Sequence, residues 1–595
     1  MLRLAHFLNR WRGGRGRTKS TFRRGLRRLG ETIEMAPVRR AIQATAFVIF
    51  LSLIFWVSWP YNARPVADNS NWPSHYADNL ASKEFIAVEG YLAIDPLVAL
   101  STAIAAQTWV WSLASAAGIL LVCVLVPRGF CGYLCPLGTL IDLFDWSIGR
   151  RVTRFRVAEV GWWRHLRYLI LAACLTAACA GILLTGIVAA IPVITRGLIF
   201  AVDPFILGTS HGWHAVPPMN AGHIFSLLLF VGVLLLGLMR PRFWCRHVCP
   251  SGAVFSVANV FRATERKVTN ACISCDECIK ACPFDAINPD WSTRTDACTL
   301  CQTCGGACPT QAITFVGRTV VIDAKPIEPE AAQPQVSRRS LLTAGLTGAL
   351  VAVGVRADAA TNATNAIPLL RPPGSVPEPA FLEQCIRCDA CLKVCPNNVL
   401  QPLGFERGFD GLWTPVVKPE WAGCDPSCNA CGQACPTGAI RALPIEEKRH
   451  ARIGLAEVNL STCLPWAGKE ACQLCVDECK AAGYDAIDFQ QVHTVVNTDG
   501  SPVEGSGFVA PVVNAAKCVG CGLCETRCTV INLKEKHLLG ETAIKIVAGP
   551  GKEDRLTTGS YLALREAEAA QENQKKQSQQ RAAEKDLGDF FNVQK

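Results

Sequence analysis

Four stretches of the chain are apolar almost without interruption, at about 41–59, 97–126, 168–191 and 223–239. Each approaches or exceeds the roughly 20 residues that cross the hydrocarbon layer as a helix. They predict a four-span α-helical membrane domain over 41–260, preceded by a basic arm at 1–40. Beyond residue 260 the pattern changes to short, cysteine-dense polar loops alternating with brief β-branched segments, which predicts small α+β units. The run from Leu341 to about Arg356 is weakly apolar and short. It predicts a fifth, uncleaved span within a 326–380 segment that ends in an Ala-, Asn- and Pro-rich linker. The tail at 546–595, rich in Gln, Glu, Lys and Ala after Arg565, predicts a solvated helix or disorder.

Charge orients the spans. The arm carries twelve Lys/Arg up to Arg40, and the loop from Arg128 to Arg167 carries seven, so both are expected in the cytoplasm. The Pro60–Pro96 loop has only Arg64 and Lys83, and the Asp203–Asn220 connection has no Lys or Arg, so both are expected outside. A net charge of +10 spread this way describes membrane orientation, and no nucleic-acid partner is expected. The first apolar run is long and far from the N-terminus, with no small-residue cleavage site after it, so a signal peptide is not expected. The chain of 595 residues is half hydrophobic and 18% charged, with 31 cysteines but four methionines. A small disulfide-stapled secreted domain is excluded.

An internal repeat closes the second and fourth runs. Pro127-Arg128-Gly129-Phe130-Cys131-Gly132-Tyr133-Leu134-Cys135-Pro136 matches Pro241-Arg242-Phe243-Trp244-Cys245-Arg246-His247-Val248-Cys249-Pro250. On a continuing helix the two thiols of C-x3-C fall on one face, so Cys131, Cys135, Cys245 and Cys249 are a candidate redox or metal site. A helix-end motif with reduced thiols is the alternative. Cys123, Cys174 and Cys179, inside apolar runs, are read as packing residues.

The remaining 24 cysteines form six quartets. Cys272, Cys275, Cys278 and Cys282 fit C-x2-C-x2-C-x3-C-P, as do Cys298, Cys301, Cys304 and Cys308, and Cys385, Cys388, Cys391 and Cys395. In such runs three thiolates wrap one cubane while the fourth reaches the neighbouring one. The first cubane is therefore expected on Cys272, Cys275, Cys278 and Cys308, and the second on Cys298, Cys301, Cys304 and Cys282. Three quartets depart. Cys424, Cys428, Cys431 and Cys435 have an extra residue in the first gap; Cys463, Cys472, Cys475 and Cys479 have eight residues there and Lys480 in place of Pro; Cys518, Cys521, Cys524 and Cys528 end in Thr529. An insertion in the first gap lengthens a loop without moving the last three sulfurs, so six [4Fe-4S] clusters are expected. Zinc sites more often show two C-x2-C knuckles across a longer loop. The tripeptides Asp285-Ala286-Ile287, Gln311-Ala312-Ile313, Gly438-Ala439-Ile440 and Asp485-Ala486-Ile487 follow quartets at a nearly constant offset and predict closing strands.

Ser337-Arg338-Arg339-Ser340-Leu341-Leu342 reads as a twin-arginine export signal, the route suited to a domain that crosses already folded around its clusters. Residues 261–325 are then cytoplasmic and 381–595 periplasmic, in a multi-pass protein of a bacterial inner membrane.

These residues carry a family resemblance. Residues 1–320, with four runs, two C-x3-C-P motifs and a two-cluster unit, resemble NapH, the membrane component of a quinol dehydrogenase. The stretch from Ser337 to about Asn532, with Leu370-Arg371-Pro372-Pro373-Gly374 and the quartets opening at Cys385-Ile386-Arg387-Cys388, looks like the NapG or MauM ferredoxin-type partner. The resemblance implies a fusion of the two: a four-span membrane domain, a two-cluster ferredoxin unit at 261–325 and a four-cluster unit at 381–545, three two-cluster ferredoxin-like units in all. It implies electron transfer from membrane quinol to a periplasmic cytochrome or reductase, with other membrane respiratory subunits as further partners.

Quinol oxidation needs a proton acceptor near the membrane edge, for which His165, Asp203, His211, His214 and His223 are the candidates. No C-x-x-C-H is present, so no covalent haem is expected, and no G-x-G-x-x-G opens a helix after a strand. A second reading is a polyferredoxin for metal reduction or assembly of a respiratory enzyme, working through the C-x3-C-P thiols.

Overall fold

The computed structural model describes residues 35–56, 90–149, 151–152, 162–210, 212–213, 216–325, 338–363, 368–495, 503 and 505–593. The chain forms two compact units, one of residues 1–48, 117–168 and 234–337, the other of 49–116, 169–233 and 338–595. Four of the boundaries fall inside the apolar helices Met35–Trp56, Ser112–Leu125, Leu166–Cys179 and Ala221–Leu235.

Among the described residues, two helices are long and apolar enough to cross a membrane, at Ala190–Thr209 and Ala221–Leu238. The boundaries differ from those the hydropathy pattern predicts. The 97–126 run is two helices, Pro96–Ala106 and Ser112–Leu125. Asp95 starts the first by accepting from the Leu97 N–H at 3.0 Å, and Gln107 ends it in the left-handed region at φ 51°. The 168–191 run stops at Cys179. Ala190–Ser210 then forms a separate helix that takes in much of the expected Asp203–Asn220 connection. That helix carries Arg196 and Asp203. Both charges are satisfied inside the second unit, Arg196 by main-chain carbonyls and Asp203 by Lys393.

Arg338–Ala363 is a single helix, longer than the expected 341–356 span. In the second unit it packs closely on the helix ending at Cys179. A Cβ at Gly348 would lie 2.7 Å from Ala173, and Ala352 is buried with Ala177 and Ile182. Small residues let the two backbones approach. Ser337 lies outside the described residues. The tail is helical from Tyr561 to Val593.

The cysteine-rich regions are loops and short helices stitched by two-stranded antiparallel ribbons. In the first unit Thr264–Val268 pairs with Ile313–Gly317. The second unit has Leu400–Pro402 with Pro415–Val417, Leu455–Val458 with Ile544–Val547, and Ile487–Val492 with Phe508–Val513. Of the expected closing strands, those at Ile313 and Ile487 form; Ile287 and Ile440 make isolated bridges to Thr293 and Ser375.

Candidate metal centres

Each regular quartet winds the same way. The residue before the second cysteine and the one after it both take a left-handed backbone: Ser274 and Asp276, Leu300 and Gln302, Arg387 and Asp389, Gly520 and Gly522. Outside glycine this conformation costs about 1–2 kcal/mol per residue. Its repetition at fixed offsets turns successive sulfurs toward one centre. A helical turn that holds the third cysteine then carries the fourth away, as in Glu277–Ala281 and Thr303–Ala307.

The result is an exchange of fourth sulfurs. Cys272, Cys275 and Cys278 line one cavity with Cys308, and Cys304 feels the charges of Cys301, Cys298 and Cys282. In the second unit Cys391 neighbours Cys388, Cys385 and Cys435, while Cys431 neighbours Cys424, Cys428 and Cys395. Cys475 feels the charges of Cys463, Cys472 and Cys528, and Cys524 those of Cys521, Cys518, Cys475 and Cys479. Every quartet is thus completed by the last cysteine of its partner.

Among the described residues no group of three or more His, Cys, Asp or Glu side chains is placed to hold a single metal ion. Burial pushes the Cys385 and Cys395 thiols up to about 11 and those of Cys428 and Cys521 to about 12. Bare thiols would stay protonated there, and ligation by iron would supply the positive charge that makes thiolates. Donors already face the sulfurs. The N–H of Ala286 points to Cys282 at 3.3 Å and that of Ala486 to Cys479 at 3.3 Å. Asn532 Nδ2 reaches Cys472 at 3.6 Å and Cys528 at 3.8 Å. Such hydrogen bonds tune cluster potentials. A bound cluster cycles one electron with little rearrangement of its ligands.

Buried arginines hold the cluster loops. In the second unit Arg196 donates to Arg387 O at 2.7 Å and Gly186 O at 3.1 Å. Arg387 in turn donates to Leu183 O at 2.6 Å and Leu412 O at 3.1 Å. No side chain larger than hydrogen fits at Gly186, where a Cβ would meet Ile386 O at 2.4 Å. Asp389 is buried between Arg196 and Arg387 with both carboxylate oxygens lacking hydrogen-bond partners, and burial pushes it up to about 8 against those two charges. Most partners of these arginines are main-chain carbonyls; the side-chain ones are Ser226 Oγ, 2.9 Å from Arg196, and Asp410, beside Arg387.

The proton-acceptor candidates scatter. Asp203 pairs with Lys393. His223 Nδ1 lies 2.9 Å from Asn220 Oδ1, and the ring packs on Phe200. His165 lies in the first unit, in the turn Trp162–His165. His211 and His214 lie outside the described residues.

The C-x3-C cysteines do not continue one α-helix. Cys131 and Cys245 lie in π-helical turns, Phe130–Leu134 and Trp244–Val248. Cys135 and Cys249 sit extended at the N-caps of the helices that open at Pro136 and Pro250. The two motifs nonetheless bring all four sulfurs into one electrostatic neighbourhood.

Comparison with known proteins agrees with cluster chemistry. One family model described as a 4Fe-4S binding domain matches residues 108–156 and 223–268, and a second of the same description matches 266–288 and 381–401. No solved structure matches the chain. The methylamine utilization ferredoxin-type protein MauM of Methylophilus methylotrophus is 30% identical over 253 residues, 40% of this chain and 100% of that protein. The ferredoxin-type protein NapG of Escherichia coli K12 is 32% identical over 206 residues, 34% of this chain and 84% of its own. NapF of the same strain is 33% identical over 170 residues, 28% of this chain and 85% of its own. Iron–sulfur electron transfer is the chemistry these relatives and quartets share, and the chain belongs to the ferredoxin-type family of MauM and NapG.

Proposed function

We propose that this protein draws electrons from membrane quinol and passes them through six [4Fe-4S] clusters to a periplasmic respiratory acceptor, a cytochrome or a reductase. A NapH-type membrane component and a NapG/MauM-type subunit are joined in one chain. The ligand sets are Cys272, Cys275, Cys278 and Cys308; Cys298, Cys301, Cys304 and Cys282; Cys385, Cys388, Cys391 and Cys435; Cys424, Cys428, Cys431 and Cys395; Cys463, Cys472, Cys475 and Cys528; and Cys518, Cys521, Cys524 and Cys479. The reciprocal fourth sulfur carries this reading, because it pairs clusters closely enough for electrons to pass between them. The membrane location is supported by the helices 190–209 and 221–238 and by the basic loops flanking the apolar runs.

In the proposed topology 261–325 lie in the cytoplasm and 381–595 in the periplasm, with the helix from Arg338 as a fifth span. Reporter fusions after residues 330 and 380 should report opposite sides, and the same side for both overturns the topology. The electron source is tested on the purified full chain in lipid nanodiscs. A reduced quinol added without oxygen should bleach the visible cluster absorbance. Clusters that dithionite reduces and quinols of suitable potential do not would rule quinol out.

A further inference from the structure

We propose that a small arginine-ringed cavity in the first unit binds a phosphate group, carried either by the headgroup of an anionic lipid or by a free phosphate ion. Nothing in the electron-transfer function requires such a site.

Charge is unbalanced around the cavity. Arg128, Arg167, Arg240, Arg246 and Arg294 line it, and Asp285 and Asp296 are the carboxylates among its lining residues. One oxygen of Asp285 is shared by three guanidiniums: Arg246 bonds it directly, Arg294 lies 3.0 Å away and Arg240 3.9 Å. Asp296 pairs with Arg167 at 2.7 Å. Arg128 is 2% exposed and has no carboxylate partner among the described residues; it donates to the main-chain oxygens of Asp296 at 3.3 Å and Ala297 at 3.4 Å. Burial pushes His247 down to about 4, helped by the charges of Arg246, Arg167 and Arg240 and opposed by Asp285. That ring is neutral at pH 7 and leaves the count at five cations against two anions. Gathering like charges away from water is costly unless an anion offsets them.

The hydrogen-bond donors show the same deficit. The Nε atoms of Arg128, Arg167 and Arg294 are buried and find no acceptor among the described residues. His247 Nδ1 is likewise buried without a partner, its ring held on Phe243 with centroids 4.8 Å apart. All four side chains line the cavity. A buried donor left unpaired costs the desolvation of that group, and more when the group is charged. Four of them around one cavity fit a ligand that accepts from several directions at once.

Size and geometry select the ligand. The cavity volume is about 40 Å³, room for about three waters at roughly 10–15 Å³ each. The oxygens of one phosphate group suit that space, and a nucleotide or a sugar does not fit. Guanidiniums match phosphate because their planar fork meets two oxygens together. A carboxylate offers fewer oxygens and less charge to the same ring of donors.

Position supplies a source for the phosphate. Arg128 is the second residue past the apolar run 97–126, Arg240 the first past 223–239, and Arg167 the last before 168–191. The cavity is thus built from residues at the ends of three apolar runs, and Trp163 lines it with them. Tryptophan and arginine together are enriched at the headgroup layer, and basic pockets between helices on the cytoplasmic side hold anionic headgroups. The lipid source rests on the proposed topology, whereas the anion site itself does not.

The purified full chain, delipidated in a neutral detergent, is titrated with inorganic phosphate and followed by ³¹P NMR. In parallel it is taken from nanodiscs of phosphatidylcholine and phosphatidylglycerol into native mass spectrometry. One phosphatidylglycerol retained per chain in preference to phosphatidylcholine supports the site with a lipid as its source. Saturable binding of inorganic phosphate without a lipid preference supports it with the free ion. Arg167→Gln with Arg294→Gln should weaken whichever is bound by about tenfold or more. Arg318→Gln, at an exposed guanidinium of the same unit, should change neither. A wild type that binds neither probe overturns the site, as does a double variant that binds as tightly as the wild type. Where the double variant does not accumulate, Arg294→Gln alone is judged by the same loss. None of these readouts depends on quinol or iron, so their failure leaves the electron-transfer proposal untouched.

Discussion

The cysteine loops of the first unit are both of the regular kind, whereas in the second unit each exchanging pair joins one regular loop to one stretched loop. Asp276, Gln302, Asp389 and Gly522 follow the second cysteine with φ between 56° and 86°. Asn429 and Gln473, at the same place in the stretched loops, have φ of −130° and −131°. Two different insertions, one residue before Cys428 and six before Cys472, reach the same alternative winding. The last three sulfurs and their helical turn are fixed by spacing, and the first gap is elastic. The sulfur exchange survives in both units, so it depends on the fourth cysteine and its turn and not on the entry loop.

That inference is broken most directly at the exchanged ligands. Cys435 closes the stretched loop in sequence but neighbours the regular set of Cys385, Cys388 and Cys391. Cys435→Ser should therefore abolish the same paramagnetic signal as Cys388→Ser, with loss of about four irons in each. Cys431→Ser should abolish a different one. If Cys435→Ser and Cys431→Ser removed one common signal, each quartet would bind its own cluster.

Next in size is the latch on the regular loop of the second unit. Arg387 is buried, and its guanidinium satisfies Leu183 O, Leu412 O and Asp410. Removing one partner of a buried charged network costs about 3–5 kcal/mol. Arg387→Ala should open the 368–450 region to limited proteolysis and speed cluster loss from the Cys385 set. Lys545→Ala, an exposed pair with Glu541, should change neither. Equal sensitivity of the two variants would mean that the arginine does not hold the loop.

Glu378 gives a pH-dependent contrast of similar size. It accepts from Arg371 at 2.6 Å and Arg555 at 2.6 Å, and its carboxyl is held at about 2: burial pushes it up, but the Arg371 charge and bond, with Arg555 and Arg407, outweigh that. A carboxyl lowered on folding contributes stability above its unfolded value of about 4.5 and loses it as pH falls toward 2. A shift of that size corresponds to about 3 kcal/mol. Glu378→Gln should lower the urea midpoint of the second unit at pH 7, and the gap from wild type should narrow below pH 4.5. A gap that stayed constant down to pH 3 would contradict the charge assignment.

Much of this was legible before any coordinates. Cysteine spacing encodes the loop winding, since C-x2-C-x2-C leaves only two residues per step, and a reciprocal fourth sulfur follows from the x3 gap and the helical turn it spans. Hydropathy read the apolar segments but misplaced their ends. Gln107 breaks the 97–126 run by a backbone conformation that composition does not advertise. The helix through Asp203 was not foreseen, and the partners of its Arg196 and Asp203, Arg387 O and Lys393, lie about 190 residues away in sequence. The arginine latches were invisible for the same reason, and most of their bonds go to main-chain carbonyls, which select no residue type on the other side. The C-x3-C motifs were recognisable as a repeat, but their π-turns emerge only from the structure.

The smallest effect bears on the elastic first gap. Gln302 follows the second cysteine of a regular loop at φ 56°, where glycine escapes a cost of about 1–2 kcal/mol. Its Oε1 is buried without a partner, so glycine there gives up no hydrogen bond at that atom. Gln302→Gly should raise the urea concentration at which the first unit loses its visible absorbance, by the equivalent of about 1 kcal/mol. At φ −130° Asn429 bears no such cost, and its side chain donates to Leu443 O at 2.8 Å. Asn429→Gly should therefore lower the midpoint of the second unit by about 1 kcal/mol or more, through the lost bond and the added freedom of the unfolded chain. Opposite signs would show that the two windings are distinct solutions to one ligand problem. A gain from glycine at both positions would mean that the stretched loop also passes through the left-handed region, and that the two kinds of loop are one.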